Sequence, residues 1–338
     1  LQARGASVTL ADSAAQLEVA DALRARGVTV TLGPHAADQF LGADLVVLSP
    51  GVPADLEPIA RARRAGVPVI GELELASRWL RGRVVAITGT KGKSTTTTLT
   101  SRMLQAGGVD APAGGNIGAA LSAQVETSTP DTVHVVETSS FQLETIETFH
   151  PWIAVLVNLS ADHLDRHGSF EAYAGAKARI FENQTPADFA VVNADDPAAL
   201  ALARGARAQR FDFALDANVR DGVTVEGDAI VRRRDGVSAP LVPLADVQVP
   251  GRHLLSDVLA ATAVSCLVGV PAEAMARAVR AFHGLAHALE RVGQVQGVTF
   301  VNDSKATNIV SATRALESFP RDVVVILGGR HKGGRFED

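Results

Sequence analysis

The sequence is poor in several residue types, and each scarcity narrows the possible functions. The single cysteine among the 338 residues, Cys266, excludes an internal disulfide. It lies in the apolar stretch AATAVSCLVGV, which favours a core position over a nucleophile. Basic residues number 32 against 37 acidic ones, and they form no basic block. This balance argues against a nucleic-acid partner.

Long apolar runs are also lacking. No run is long enough to cross a membrane, and the N-terminus does not have the layout of a signal peptide. We therefore expect a monomeric cytoplasmic enzyme without membrane contact. The length predicts two or three domains rather than one core.

Lysine is scarce as well, since only five of the 32 basic residues are lysine. Arginine can take over most surface roles of lysine, but it cannot supply a compact ammonium group or an amine that loses its proton. Some lysines could be chance survivors, yet their sequence contexts make them candidates for function. They are Lys91, Lys93, Lys177, Lys305 and Lys332.

Short strands alternate with helices along the chain, which predicts an α/β fold with a mainly parallel sheet. In the first part a strand ends at Asp12, a helix is expected over 13–26, and further strands and helices follow up to residue 76. The strand ending at Asp12 resembles the second strand of a dinucleotide-binding fold. A first strand is therefore expected to precede the given sequence.

A second unit begins with the strand VVAIT, and TVHVVET, WIAVLVN and DFAVVN are its further strands. Each strand ends in polar residues. They are 89–94, then Glu137, then Asn158 with Asp162 and His163, then Asn193 with Asp195. In an open parallel sheet, ligands bind beyond the carboxyl ends of the strands. The pattern therefore predicts a functional site at this edge.

The remaining segments complete the predicted organisation. Residues 205–245 are expected to form peripheral hairpins without chemistry, and a helix is expected from Ser256 to Leu267. Two strand-to-loop transitions follow, VTFVNDSKATN and DVVVILGGRHKGG, which predict the start of an α/β domain that continues beyond the given sequence. The expected domains are 1–82, 83–283 and 284–338.

The segment AITGTKGKSTTTT, residues 86–98, predicts a phosphate-binding loop between a strand and a helix. Lys93 would reach the outer phosphates and Ser94 would bind Mg²⁺. The loop is the short TGTxGKST form, because Ile87 stands where the standard Walker A pattern needs glycine. The nucleotide-binding residues are Gly89, Thr90, Lys91, Gly92, Lys93, Ser94 and Thr95. For the loop, the alternative is a glycine turn that binds no ligand. Residues 95–98 are interpreted as solvating the start of the helix.

This loop resembles the ATP loop of Mur ligases and folylpolyglutamate synthetases. Four further stretches make the chain similar to the D-glutamate-adding Mur ligases: GGNIG (114–118), VVETSSFQLE (135–144), ADHLDRHGSFEAYAGAKARIFENQ (161–184) and NDSKATN (302–308). The resemblance runs from about Asp12 to the last residue. It implies three domains: a Rossmann-like UDP-binding domain, a P-loop ATPase domain with a mainly parallel sheet, and a Rossmann-like amino-acid-binding domain.

The resemblance also implies the chemistry. ATP would phosphorylate the terminal carboxylate of UDP-N-acetylmuramoyl-L-alanine, and the amine of D-glutamate would then displace phosphate. Ser94 and Glu137 would hold one Mg²⁺, and His163 and Lys177 a second. An ammonium group has no lone pair for a metal, and the family's matching lysine is carbamylated. The implied catalytic residues are Lys93, Lys177, His163, Glu137 and Lys305.

The remaining implied contacts concern the substrates. Asn116 and Ser139 would contact the muramoyl-alanine part, Ser13 the uracil, Asp303 the ATP ribose, Lys305 and Thr307 the reacting groups, and Lys332 the D-glutamate carboxylate. For Lys177 the alternative is a solvated helix lysine. It nevertheless falls on the apolar stripe of Phe170, Tyr173 and Ile180, where a lysine needs a special reason.

Five positions depart from the family pattern: Lys91, Leu254, Asp257, Ala288 and His331. Leu254 and Ala288 replace an asparagine and an arginine that contact the nucleotide in the family. Two other functions therefore remain open. One is a sister amide ligase, such as a folylpolyglutamate synthetase or another Mur ligase. The other is a paralogue that binds nucleotide without catalysis.

Overall fold

The N-terminal part contains two small pairs of parallel strands with helices between them. The computed structural model describes residues 1–306, 309–319 and 322–328. The elements are β1 Thr9–Asp12, α1 Ala20–Ala25, β2 Thr29–Leu32, β3 Val46–Leu48, α2 Glu57–Arg64, β4 Val69–Gly71 and α3 Glu72–Ser77. β1 pairs with β2 and β3 with β4, so the strands form two separate sheets in the described residues. The predicted alternation of strands and helices is confirmed.

The helix expected over 13–26 is wrong in its first half, since α1 begins only at Ala20. The Asp12 carboxylate accepts a hydrogen bond from the Ala14 amide at 2.8 Å. The Gly33 amide donates to the carbonyl oxygens of Asp12 and Ala14. These local bonds use the backbone groups that a helix would need, and they hold the segment in a turn.

The central part is built on a six-stranded parallel sheet with the order β10-β9-β8-β5-β7-β6. Its elements are β5 Arg83–Thr88, α4 Lys93–Ala106, β6 Ala113–Gly115, β7 Val133–Glu137, α5 Ser140–Leu143, β8 Ile153–Leu156, α6 Leu164–His167, α7 Phe170–Ala178, β9 Phe189–Val192, α8 Pro197–Leu202 and β10 Gln209–Arg210. The four predicted strands of this unit are confirmed.

Both faces of this sheet are buried, which explains why its strands are almost entirely apolar. Side chains alternate between two cores along β5. Val85 and Ile87 belong to the core that also contains helix α4 residues, whereas Val84 and Ala86 belong to the core on the other face.

Residues 212–243, within the segment expected to form hairpins, form a small four-stranded sheet. Its strands are β11 Asp212–Phe213, β12 Gly222–Glu226, β13 Ala229–Arg234 and β14 Val237–Pro243, in that order. Phe213, Val223 and Ile230 are buried in the same core as β5 and α4. The helices α9 Arg252–Val268 and α10 Ala272–Arg280 follow. The helix predicted over 256–267 is confirmed within α9.

The last described part contains an antiparallel hairpin, β15 Glu290–Val295 and β16 Val298–Asn302, and the helix α11 Ile309–Glu317. Gln296 and Gly297 form the turn with positive φ values of 48° and 83°, as tight hairpins require. The strand expected over 322–327 is not formed. Residues 322–328 have no strand pairing, and Val324 and Ile326 are almost fully exposed. No helix of the described chain has both the length and the apolar character needed to cross a membrane.

Candidate active site

The predicted site lies where the central sheet reverses its strand order. β5 lies between β7 and β8, so the loop after β5 meets the ends of both neighbours. A crevice beyond the carboxyl ends of the strands forms at such a reversal. The phosphate loop, Glu137 and Asn158 are therefore brought to one edge, as predicted.

Asn158 holds the phosphate loop in place. Its side-chain oxygen accepts hydrogen bonds from the backbone amides of Thr90, at 3.2 Å, and Lys91, at 2.9 Å. Its side-chain amide donates to the Lys91 carbonyl oxygen at 2.9 Å. An asparagine that both accepts from and donates to one loop fixes the loop conformation before any ligand binds.

Gly92 is required for two reasons. Its φ of 80° lies in the left-handed region, which residues with a side chain rarely adopt. The carboxylate of Asp257, from α9, also occupies the space that a Cβ at this position would need.

Asp257 is almost fully buried, and this burial raises its pKa well above the ordinary value, against the opposing influence of the Thr96 hydroxyl and the Lys93 charge. Leu254, another departure from the family pattern, is a core residue.

Lys93 begins α4 and turns its ammonium group back over the loop. It donates to the carbonyl oxygens of Gly89, at 3.1 Å, and Thr90, at 3.0 Å. Burial lowers the pKa of Lys93, and the nearby charge of Glu137 opposes this shift. The interpretation of residues 95–98 as a solvated helix start is wrong for Thr95, Thr96 and Thr97, which are buried. Helix α9 packs against α4, and its Asp257 lies near the Thr96 hydroxyl.

Glu137 joins the phosphate loop to the GGNIG segment. Its carboxylate accepts from Ser94 Oγ and from Asn116 Nδ2, each at 2.7 Å, and the side chain is 2% exposed. The Asn116 amide also donates to the Glu137 carbonyl oxygen at 2.9 Å. Hydroxyl and carboxylate oxygens are the ligands that Mg²⁺ prefers, so Ser94 and Glu137 fit the predicted magnesium site.

Lys177 is buried, as its position on the apolar stripe predicted. Only 2% of the residue is exposed. Its Nζ donates to the Gly89 carbonyl oxygen at 2.7 Å and to Thr88 Oγ1 at 3.3 Å, and it lies 4.9 Å from the centre of the Tyr173 ring. Burial lowers the pKa of Lys177 well below the ordinary lysine value, and the charge of Lys93 lowers it further. The alternative of a solvated lysine is excluded.

His163 lies at the rim of the site. It is exposed, its φ of 52° is left-handed, and its ring meets that of Phe141 edge-on at 5.2 Å. In the described part of the chain, no hydrogen bond joins His163 to Lys177. Nor do any three His, Cys, Asp or Glu side chains of the described residues form a metal site by themselves.

Lys91 makes an ion pair with Asp162, 3.2 Å between Nζ and Oδ2. Both side chains are partly buried, and the pair connects the phosphate loop to the loop of His163. Burial would raise the pKa of Asp162, but the charge of Lys91 and its hydrogen bond outweigh burial and lower it.

The other predicted residues lie outside this cluster. Ser13 is exposed after β1, and Lys305 is exposed after β16. Asp303 Oδ1 accepts from the Leu289 amide at 2.9 Å, next to Ala288. No hydrogen bond or ion pair joins residues 302–306 to the phosphate loop within the described ranges. Thr307, Lys332 and His331 lie outside the described residues.

Two residues of the site were missed by the sequence reasoning. Tyr173, the single tyrosine of the chain, shares a hydrogen bond of 3.0 Å with Thr90 Oγ1, and burial raises its pKa to about 12. The His167 ring packs edge-on against Tyr173, with 5.3 Å between ring centres. The rarity of tyrosine was the available signal for Tyr173, whereas no pattern singled out His167.

Comparison with known proteins places this geometry in a family. Residues 87–265 match the Mur ligase middle domain, and residues 1–71 match the Mur ligase MurD-like N-terminal domain. The UDP-N-acetylmuramoylalanine--D-glutamate ligase of Koribacter versatilis is 44% identical over 99% of this chain and 75% of its own length. That of Pelotomaculum thermopropionicum is 45% identical over 99% of this chain and 74% of its own.

Solved structures agree on the fold. A murein peptide ligase from Psychrobacter arcticus has a TM-score of 0.59 at 19% identity, covering 94% of this chain and 71% of that chain. The UDP-N-acetylmuramate-alanine ligase from Thermotoga maritima has a TM-score of 0.58 at 22% identity, covering 94% and 72%. From the phosphate loop, the clamped Glu137 and these similarities, we conclude that the chain belongs to the Mur ligase family.

Proposed function

We propose that this protein is an ATP-dependent ligase that joins D-glutamate to UDP-N-acetylmuramoyl-L-alanine in peptidoglycan precursor synthesis. The carrying observation is the Glu137 carboxylate, held between Ser94 of the phosphate loop and Asn116 of the GGNIG segment. One buried acid thus connects the expected ATP side of the site to the expected substrate side. The relatives at 44% and 45% identity support the choice of D-glutamate as the added amino acid.

The chemistry requires two anions, the γ-phosphate and the substrate carboxylate, to meet. Lys93 lies at the start of α4 and points over the loop, so its charge can shift from the loop carbonyl oxygens to the outer phosphates. Ser94 and Glu137 would hold Mg²⁺, whose positive charge would stabilise the negative charge of the transferred phosphoryl group. The amine of D-glutamate then replaces phosphate on the activated carboxyl carbon.

For the second metal ligand set, we propose His163 and a carbamylated Lys177. Carbon dioxide adds to a neutral amine, and burial gives Lys177 the low pKa that this addition needs. The amine loses one proton and gains a carboxylate group, whose oxygens suit Mg²⁺. The carbamate nitrogen keeps one N–H, which can continue to donate to the Gly89 carbonyl oxygen.

The substrate roles follow the same division. Residues 1–82 would bind the UDP part, with Ser13 near the uracil, residues 83–283 would bind ATP, and residues 284–338 would bind D-glutamate. Asn116 and Ser139 would contact the muramoyl-alanine part and Asp303 the ATP ribose. Lys305 and Thr307 would approach the reacting groups, and Lys332 the D-glutamate carboxylate. We propose that the enzyme acts as a monomer in the cytoplasm.

Phosphate release tests this function directly. The protein is incubated with ATP and Mg²⁺, and phosphate is measured with UDP-N-acetylmuramoyl-L-alanine, with D-glutamate, and with both. We expect sustained release only with both substrates, together with a product whose mass equals UDP-N-acetylmuramoyl-L-alanyl-glutamate.

Matched controls separate the other functions. L-glutamate in place of D-glutamate tests stereochemistry, and a folate with L-glutamate tests the folylpolyglutamate reaction. Release with another amino acid or with folate instead of D-glutamate would identify a sister ligase. Binding of ATP without release under any of these conditions would show a paralogue that binds nucleotide without catalysis.

A further inference from the structure

A serine, a histidine and a glutamate lie in a row beside the site, joined by one hydrogen bond and one ion-pair contact. His167 Nε2 lies 2.9 Å from Ser140 Oγ, and its Nδ1 lies 3.1 Å from Glu144 Oε1. The neighbouring Glu144 carboxylate favours the tautomer with the proton on Nδ1. In this tautomer Nε2 accepts from the Ser140 hydroxyl, and burial lowers the pKa of His167 against the charge of Glu144, which favours the neutral ring.

This order of side chains resembles the catalytic triad of hydrolases, but the burial of the row excludes a hydrolytic role. Ser140 is 2% exposed, and the His167 side chain is 1% exposed. The ring lies stacked on Phe141, at 5.2 Å and 10° between planes, and edge-on to Tyr173. No acyl substrate can reach a serine enclosed in this way.

The position of the row indicates another role. Ser140 is the first residue of α5, directly after Ser139, which begins the helix with a capping box. His167 ends α6, in the loop that carries Asp162 and His163. The ring also contacts Tyr173, whose hydroxyl group shares a hydrogen bond with Thr90 of the phosphate loop. One imidazole therefore joins its own loop to the start of α5 and to Tyr173.

We propose that His167 is a positioning residue for the ligase reaction, which fixes the loop of Asp162 and His163 against the start of α5 and against Tyr173. This role rests on the ligase function proposed above. His167 would not touch substrate. It would act by fixing the positions of His163 and Ser139 relative to each other. A misplacement of about 1 Å in a catalytic group can lower the rate about a hundredfold.

Arg166 supports the same loop from outside. Its guanidinium lies 3.7 Å from Glu144 Oε2 and 4.0 Å from Asp55 Oδ1, and 5.5 Å from the centre of the Phe141 ring. Glu144 is thus shared by two consecutive residues of the loop. The loop has only a short helix, α6, to stabilise it, so these side-chain contacts are expected to determine its position.

His167→Phe tests the role, because phenylalanine keeps both ring contacts and removes the hydrogen bond to Ser140 and the polar contact with Glu144. We expect kcat to fall at least about tenfold, and amide hydrogen exchange in residues 163–168 to become at least about tenfold faster, while exchange in 229–243 stays unchanged. His167→Gln can still accept from Ser140 and place a polar group near Glu144, so it should recover part of the loss.

His150→Phe is the matched control. His150 also contacts a carboxylate, Asp188 at 2.7 Å, but it lies at the opposite edge of the sheet. It should change neither the turnover nor the exchange of 163–168. If His167→Phe does not fold, Ser140→Ala removes one hydrogen bond and leaves the ring, and it is expected to change both measurements about threefold or more.

Three results would overturn the role. They are kcat and KM within twofold of the wild type in His167→Phe, unchanged exchange in 163–168, or a loss of activity that His150→Phe reproduces. If His167→Phe does not fold, the first two results are judged on Ser140→Ala. The wild-type protein reports separately on the ligase function. If it releases no phosphate with both substrates, that function is wrong, whereas the exchange data still show whether His167 holds the loop.

Discussion

Lys93 and Lys177 donate to the same acceptor, the carbonyl oxygen of Gly89, at 3.1 Å and 2.7 Å. Two ammonium groups on one oxygen repel each other, and both are buried. Burial therefore lowers both pKa values, and the charge of Lys93 lowers that of Lys177 further. The charge of Glu137 opposes the shift at Lys93, so the arrangement favours proton loss from Lys177 over proton loss from Lys93.

Lys177→Ala should lose nearly all ligase activity, and added acetate should restore part of it. Acetate can occupy the space of the proposed carbamate and supply the same oxygen atoms. Lys177→Arg should stay inactive, because a guanidinium cannot add carbon dioxide. The wild-type protein should also show a carbamate carbon signal by NMR under ¹³C-labelled carbon dioxide.

Lys93→Ala is the matched control, since acetate should not rescue the loss of a cation. Full activity in Lys177→Arg would show that Lys177 acts only as a positive charge. Absence of a carbamate signal from an active wild-type sample would argue against the modification.

Lys91→Asn should raise the KM for ATP two- to fivefold and make it less sensitive to salt. Lys91 is a partly exposed loop cation paired with Asp162, and such pairs contribute about 0–1 kcal/mol. Its charge can turn to the phosphates when they arrive, and salt screens that attraction. Initial rates at low and high salt measure the change. A KM for ATP that falls in the variant would mean that the ion pair competes with the nucleotide.

His134 should make the protein less stable in mild acid. The buried ring accepts from Ser128 Oγ at 2.8 Å and donates to Gln124 at 2.6 Å, and burial lowers its pKa below 6.5. Below pH 6.5 the His134 ring binds a proton more readily in the unfolded chain than in the folded protein. The free energy of unfolding then falls as the pH falls, by at most about 1.4 kcal/mol per pH unit.

Urea unfolding at pH 7.5 and pH 5.5 measures this contribution. His134→Gln can keep both hydrogen bonds but cannot bind the proton, so it should lose less stability than the wild type between the two pH values. Equal losses in the two proteins would exclude His134 as the cause.

Glu74→Gln should lower the free energy of unfolding by about 2–4 kcal/mol. This buried carboxylate accepts from the amides of Glu147, Thr148 and Phe149, from the Thr148 hydroxyl and from Arg78. Burial would raise the pKa of Glu74, but these hydrogen bonds outweigh burial and lower it. Its stabilisation is therefore complete above pH 4.5 and is lost as the pH falls through the lowered value.

Glu147→Gln is the comparison for this change. Glu147 is the exposed partner of the same arginine, so its loss should cost at most about 1 kcal/mol in urea unfolding. Similar effects of the two substitutions on the free energy of unfolding would show that Glu74 stabilises the protein through Arg78 rather than through the three backbone amides.

The local pattern of the chain was sufficient to predict much of the fold. Both faces of the central sheet are buried, so β5, β7, β8 and β9 are short apolar runs that end in polar residues, and such runs can be read without neighbours. The phosphate loop and the burial of Lys177 followed from a spacing and from a helix stripe. Each of these patterns can be recognised within one short segment, although the contacts that bury Lys177 come from residues 88 and 89.

Other features depended on residues that are distant in the chain. The shortened α1 results from bonds between Asp12, Ala14 and Gly33. Thr96 is buried near Asp257 of α9, a helix that begins 156 residues after Thr96. Asp257 fills the space beside Gly92, and Asn158 holds the loop from a neighbouring strand. A sequence pattern reports the backbone period and local charge. It does not report which distant side chain packs against which, because that is decided only when the sheet and its helices assemble.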